Sequence, residues 1–131
     1  MAQPHKGDRK QIGAALNPLV KAELVWRAKH FGLHTSDYVA GIAALTFGRA
    51  DLAGRLAQAA FGDIPPVPDD FGTDGGYITP RFPREVYDLI RQRAGKRGVP
   101  MGYIVDELCA AHVDGPVAHS SEEQGDLLTS A

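Results

Sequence analysis

The sequence predicts a mainly α-helical fold carrying a two-stranded antiparallel ribbon, assembled from two tandem copies of one strand-helix-helix unit. The leading observation is an internal repeat: sliding the chain along itself by 66 positions aligns its apolar residues without a gap. Ile12 falls on Ile78, Leu16 on Phe82, Val20 on Val86, Leu24 on Ile90, Ala28 on Ala94, Leu33 on Val99, Val39 on Val105 and Ile42 on Leu108. Only seven of the 34 positions from Ile12 to Leu45 are identical, so the match lies in the spacing of core residues rather than in the letters. A second observation is size. At 131 residues and 14.0 kDa, with 44% apolar and 23% charged residues, the chain has room for one ordinary domain, and no apolar run approaches a membrane span. The third is charge. The net charge of −2 hides four alternating blocks, with net +3 over 1–48, −3 over 49–75, +2 over 76–113 and −4 over 114–131.

The elements follow in order. Residues 1–9 form a flexible arm with no apolar core of a signal peptide behind its charges, and Cys109, the single cysteine, leaves no intrachain disulfide, so a cytoplasmic setting is expected. Copy one, over 10–48, opens on an alternating stretch with Ile12, Ala14 and Leu16 on one side and Gln11, Gly13 and Ala15 on the other, the period of a strand. Asn17 is placed to cap a helix that starts with Pro18 and carries Val20, Leu24 and Ala28 inward at a spacing of four. Gly32 suits the left-handed residue that closes it. Thr35 or Ser36 then caps a second helix from about Asp37, with Val39, Ile42 and Leu45 inward.

Residues 49–75 read as an extra helix with a stripe of Leu52, Leu56 and Ala60, followed by a Pro/Gly/Asp linker in which neither helix nor strand propagates. Trp26 is expected to pack partly against that helix. Copy two, over 76–113, repeats the pattern: Ile78, Pro80 and Phe82 alternate with Tyr77, Thr79 and Arg81, Pro83 starts a helix with Val86, Ile90 and Ala94 inward, and Gly98 ends it. Its second helix starts near Gly102 and buries Val105, Leu108 and Cys109. The block from 114 to 131 is small, polar and acidic, and is expected to be disordered when the protein is alone. A unit of about 35 residues cannot bury its apolar faces alone. Two strands paired as a ribbon over four helices can, and the other face of the ribbon is left to solvent or a ligand.

At this point the residues resemble the Arc/CopG-like ribbon-helix-helix family of DNA-binding proteins. Arg81 to Gly98, RFPREVYDLIRQRAGKRG, is similar to its Arc-like members, and LNPLVKAEL followed by AKHFGLHTSDYV to its CopG-like ones. Two copies in one chain are similar to TraY-like accessory factors of conjugative DNA processing. The resemblance implies that the ribbon enters the major groove of double-stranded DNA and that its outward residues read base edges. On this chain those are Tyr77, Thr79 and Arg81 in copy two and Gln11, Gly13 and Ala15 in copy one. Arg suits guanine, Gln adenine, and Ala a thymine methyl, whereas Gly13 specifies little except close approach. The start of each second helix is implied to hold a phosphate through backbone N–H groups, at Thr35, Ser36 and Asp37 and at Met101 and Gly102. Lys6, Arg9, Lys10 and Arg84 are expected near flanking phosphates. With about four to six phosphates neutralised, log affinity should fall with log salt at a slope of about −4 to −5.

The remaining residues point to no catalysis. His30 and His34 are separated by a helix end with no acid or Cys to complete a ligand set, so no metal or other cofactor is expected. Cys109 reads as a buried thiol, and the acid pairs Asp69–Asp70, Asp106–Glu107 and Glu122–Glu123 as solvated charge. No phosphate loop, dinucleotide fingerprint or nucleophile elbow is present in the sequence. The chain is therefore read as a single-chain pseudodimer that binds an asymmetric half-site, with self-association on adjacent half-sites. The family implies a transcriptional repressor or autoregulator, of a mobile element by analogy. An antitoxin or protein-binding module that uses residues 114–131 on a partner, or a DNA-transfer accessory factor, is the alternative.

Overall fold

A computed structural model of the chain describes residues 9–72 and 75–119. The expectations for an arm over residues 1–8 and for a disordered tail over 120–131 lie outside the described residues.

The fold is mainly helical with a small antiparallel ribbon. Strand β1 (Arg9–Gln11) pairs with β4 (Arg81–Pro83), and β2 (Ala14–Ala15) with β3 (Tyr77–Ile78). Both pairs keep one register: Gln11 faces Arg81, and Ala14 and Ala15 face Ile78 and Tyr77. That register sets Gly13 opposite Thr79, which are equivalent positions of the 66-residue repeat. The interruption has a chemical cause. Opposite Ile12 stands Pro80, whose carbonyl accepts from the Ile12 amide at 3.1 Å but which has no N–H to return. Beyond the gap the pairing extends to Leu16, whose amide donates to the Gly76 carbonyl at 2.9 Å. Burial alternates as a strand requires: Ile12, Ala14, Leu16, Ile78, Pro80 and Phe82 are buried, and Gln11, Gly13, Ala15, Tyr77, Thr79 and Arg81 are exposed.

Four helices pack under the ribbon among the described residues. Helix α1 (Pro18–His30) is capped by Asn17, whose side chain accepts from the Leu19 amide at 2.8 Å, and it buries Ala22, Leu24 and Ala28. Gly32, at φ 69°, turns the chain out of it. Helix α2 (Thr35–Thr46) is buried without a break from Tyr38 to Ala44, the pattern of a helix surrounded on all sides. Helix α3 (Arg84–Arg97) buries Val86, Ile90 and Ala94 and closes on Gly98 at φ 68°. Its charged side carries Arg93 over the Phe47 ring and Arg97 paired with Glu107. Helix α4 (Met101–His119) buries Ile104, Val105, Leu108 and Cys109. Core positions therefore recur at the repeat distance: Tyr38 and Ile104, Val39 and Val105, Ile42 and Leu108 are buried alike.

Three expectations are corrected. The stripe at Leu52, Leu56 and Ala60 does not form an α-helix. Ala50–Leu52, Gly54–Gln58 and Phe61–Asp63 are three short 3-10 turns. Gly54 at φ 60° interrupts any right-handed run, and Ala53 and Leu56 gain burial by seating on Gly41 of α2, where an added Cβ would lie 2.6 Å from Leu56 Cδ1. Trp26 packs on the linker instead of that stripe. Its Nε1 donates to the Pro65 carbonyl at 2.8 Å, and its ring meets Phe71 edge-on at 5.2 Å. Finally, α4 runs to His119, past the point where the tail was expected to begin. Just before that point the helix is anchored by Tyr38, whose hydroxyl bonds His112 Nε2 at 2.7 Å, and by Arg27, which donates to the carbonyls of His112 and Val113 at 3.5 and 3.3 Å.

Candidate nucleic-acid interface

The solvent face of the ribbon is built by two three-residue rows, Gln11, Gly13 and Ala15 beside Arg81, Thr79 and Tyr77. Pleating puts them on one side, because Ile12, Ala14, Leu16, Ile78, Pro80 and Phe82, which alternate with them, turn into the core. The face has two unlike ends. At one end Gln11 stands opposite Arg81, and at the other Ala15 stands opposite Tyr77, which is 63% exposed. Between them Tyr77 reaches back over Gly13: a Cβ added at Gly13 would lie only 2.1 Å from the Tyr77 hydroxyl oxygen. The Gln11 amide, the Thr79 and Tyr77 hydroxyls and the Arg81 guanidinium make no hydrogen bond or ion pair with other described residues. These groups lie on the exposed side of the ribbon with no partner among the described residues.

The edges of the ribbon are treated differently from its face. In an antiparallel pair, residues between hydrogen-bonded partners turn their own N–H and C=O to the outside, and an uncovered edge invites further strands. Here the N-terminus of each second helix covers one edge. The Arg81 amide donates to Ser36 Oγ at 2.9 Å, which docks the start of α2 on the outer side of β4. On the opposite edge a Cβ at Gly102 would sit 2.5 Å from the Gly13 carbonyl oxygen and 3.5 Å from Ala14 Cα. Gly102 occupies the repeat position of Ser36, and its missing side chain lets α4 approach the other strand directly.

The residues expected at phosphates are distributed as follows. Helix α2 begins at Thr35, with His34 in the cap position and no side-chain cap, rather than at Asp37 behind Thr35 or Ser36. The physical reason is that the Ser36 hydroxyl is engaged by the ribbon edge. Thr35, Ser36 and Asp37 thus form the first turn, whose amides have no partner within the helix. Asp37 lies 3.4 Å from Arg9, which also donates to the Arg81 carbonyl at 3.4 Å. Arg9 is therefore tied to the ribbon end rather than freely extended. Lys10 is exposed but shares the register of the inward residues, opposite Phe82, so it lies off the outward face at the end of the ribbon. Met101 and Gly102 form the half-buried first turn of α4, and Arg84 is exposed at the start of α3.

Two residues near this surface carried no sequence signal. Arg55, from the segment between the copies, joins Arg9, Ser36, Asp37 and Arg81 around a cleft of about 420 Å³, with its Nη1 donating to the Phe31 carbonyl at 2.8 Å. Lys21 of α1 reaches the Tyr77 carbonyl with its Nζ at 3.2 Å. A lysine on a helix four residues past its cap gives no hint of a strand 56 residues away.

Away from the ribbon, burial pushes the Cys109 thiol up to about 12, which keeps it protonated and unreactive at neutral pH. Burial and the nearby Arg27 charge push His112 down to about 4, and burial pushes Tyr38 up to about 12. At neutral pH the Tyr38 hydroxyl is therefore hydrogen-bonded to an uncharged imidazole. Among the described residues no group of three or more His, Cys, Asp or Glu is placed to hold a metal ion, and no helix is long and apolar enough to cross a membrane. Comparison of the chain with protein-family models, curated proteins and solved structures found no match.

Proposed function

We propose that the chain is a sequence-specific double-stranded DNA-binding protein, a transcriptional repressor or autoregulator, that lays its ribbon in the major groove. In this reading the two copies form one ribbon-helix-helix pseudodimer within a single chain. The register supports it: Gly13 and Thr79 face each other and are also equivalent positions of the repeat, which is where a local two-fold axis would pass. The observation that carries the reading is the outward face itself. Gln11, Thr79, Tyr77 and Arg81 stand side by side with unspent hydrogen-bonding groups, on a ribbon narrow enough for the major groove and held along both edges by helix N-termini. Amides in the first turns of α2 and α4, with Lys10 and Arg84 beside the ribbon, suit backbone phosphates on either side.

The test is selection of binding sites from random duplex DNA by the full chain at near-physiological salt. The expected result is an enriched motif that is not a palindrome, since Gln11, Gly13 and Ala15 differ from their repeat partners Tyr77, Thr79 and Arg81. Recovery of random sequence, with only weak binding that vanishes as salt rises, would remove the ribbon from the readers.

A further inference from the structure

The ribbon face is chemically lopsided, and the asymmetry has a steric origin. Arg81 and Gln11 form a cross-strand pair with free planar donors at one end. Their repeat partners at the other end are Ala15 and Tyr77, also a cross-strand pair, which offer a methyl group and an aromatic ring. The Tyr77 ring does not stand up from the sheet. Its hydroxyl oxygen occupies a point 2.1 Å from where a Gly13 Cβ would be, with Cζ at 3.0 Å and Cε1 at 3.6 Å, so the ring lies back across the middle of the ribbon. Any side chain at Gly13 would expel it. The glycine is not needed for its own backbone, because the glycines with positive φ are Gly32, Gly48, Gly54, Gly75 and Gly98. What its bare Cα supplies is the space that Tyr77 fills.

We infer that Gly13 is a positioning residue that lays Tyr77 down as an apolar platform, so that the duplex is read by hydrogen bonds to a purine at the Gln11–Arg81 end and by contact with a thymine methyl at the Ala15–Tyr77 end. This inference rests on the DNA-binding reading above. A purine edge offers the acceptors that a guanidinium and an amide pair with, whereas the thymine methyl is the one apolar group in the major groove. Four residues of strand separate Gln11 from Ala15, about 13 Å, which spans about four base pairs. The preferred site should therefore place a guanine or adenine and a thymine about four base pairs apart.

The experiment uses the full chain and the site enriched from random DNA, with each thymine replaced in turn by uracil, which deletes the methyl and nothing else. One position should lose about fourfold in affinity, the worth of one buried methyl group. Gly13→Ala and Tyr77→Ala should bring the thymine-to-uracil ratio at that position to one while leaving the loss on replacing guanine by 7-deazaguanine at the other end. Tyr77→Phe in the Gly13→Ala background removes the oxygen that would meet the new Cβ, and it should restore part of the thymine preference; a purely structural role for Gly13 would not move this ratio. Unchanged unfolding midpoints identify the variants as folded. An enriched motif in which no thymine-to-uracil exchange matters, or Gly13→Ala keeping the full thymine preference, overturns the inference while the DNA-binding reading stands. Failure to enrich any motif overturns both.

Discussion

The Tyr38–His112 pair makes the stability of this fold depend on pH through one side chain. His112 has its pKa pushed from 6.5 down to about 4 by burial and by Arg27. The groups packed against it are the Tyr38 hydroxyl at 2.7 Å, the Phe61 ring edge-on at 4.9 Å, and Arg27, which engages the His112 carbonyl. None of these carries a negative charge to balance an imidazolium in this buried place, and the guanidinium repels one. Between pH 6.5 and about 4 the unfolded chain therefore binds a proton that the native state refuses, so stability falls as pH falls through that window and is restored above it. From pH 7 to pH 5 the two pKa values correspond to a loss of about 2 kcal/mol. In a domain of this size that is a fall in Tm on the order of 10 °C. The assay is urea unfolding of the wild type and of His112→Gln at pH 7, 6 and 5. Gln keeps an oxygen for the Tyr38 hydroxyl but carries no titrating proton, so its stability should fall less than the wild type by about 2 kcal/mol across the range. Parallel losses in the two proteins would refute the assignment of the acid sensitivity to His112.

Other consequences are as direct. Gly102→Ala should destabilise by about 1–3 kcal/mol, because its Cβ meets the Gly13 carbonyl at 2.5 Å, whereas Gly95→Ala on open helix surface should gain up to about 1 kcal/mol; equal unfolding midpoints would disprove the close approach of α4 to the ribbon. Trp26 is the single tryptophan, so Phe71→Ala should shift its emission to the red by exposing the ring edge, and an unmoved spectrum would show that the linker is not docked there. For DNA binding, Lys10→Ala should reduce the salt slope by about 1 without changing the preferred bases. Arg81→Ala should instead cost about 1–3 kcal/mol on the selected site and alter the preferred base at one position, with filter binding across salt distinguishing the two.

Much of the architecture is written in residue spacing. Alternation at Ile12–Leu16 and Ile78–Phe82, the spacing of four at Leu24–Ala28 and Ile90–Ala94, Asn17 before Pro18, and the glycines at 32 and 98 are local signals, and local steric and hydrogen-bonding rules suffice to turn them into strands, helices, caps and left-handed closures. The outward row Gln11, Gly13, Ala15, Tyr77, Thr79 and Arg81 follows from the same alternation, since burying one side of a strand exposes the other. What spacing does not contain is any contact whose partner lies far along the chain. The Ser36 hydroxyl reads as a helix cap until the Arg81 amide, 45 residues away, claims it. Leu52, Leu56 and Ala60 read as a helix until the groove at Gly41 rewards 3-10 turns instead. Tyr77 reads as one exposed aromatic among others until the register brings Gly13 beneath it. These outcomes required the tertiary structure because a hydrogen-bonding group or an apolar surface commits to whichever partner the folded chain brings nearest, and that choice has no signature in the local sequence.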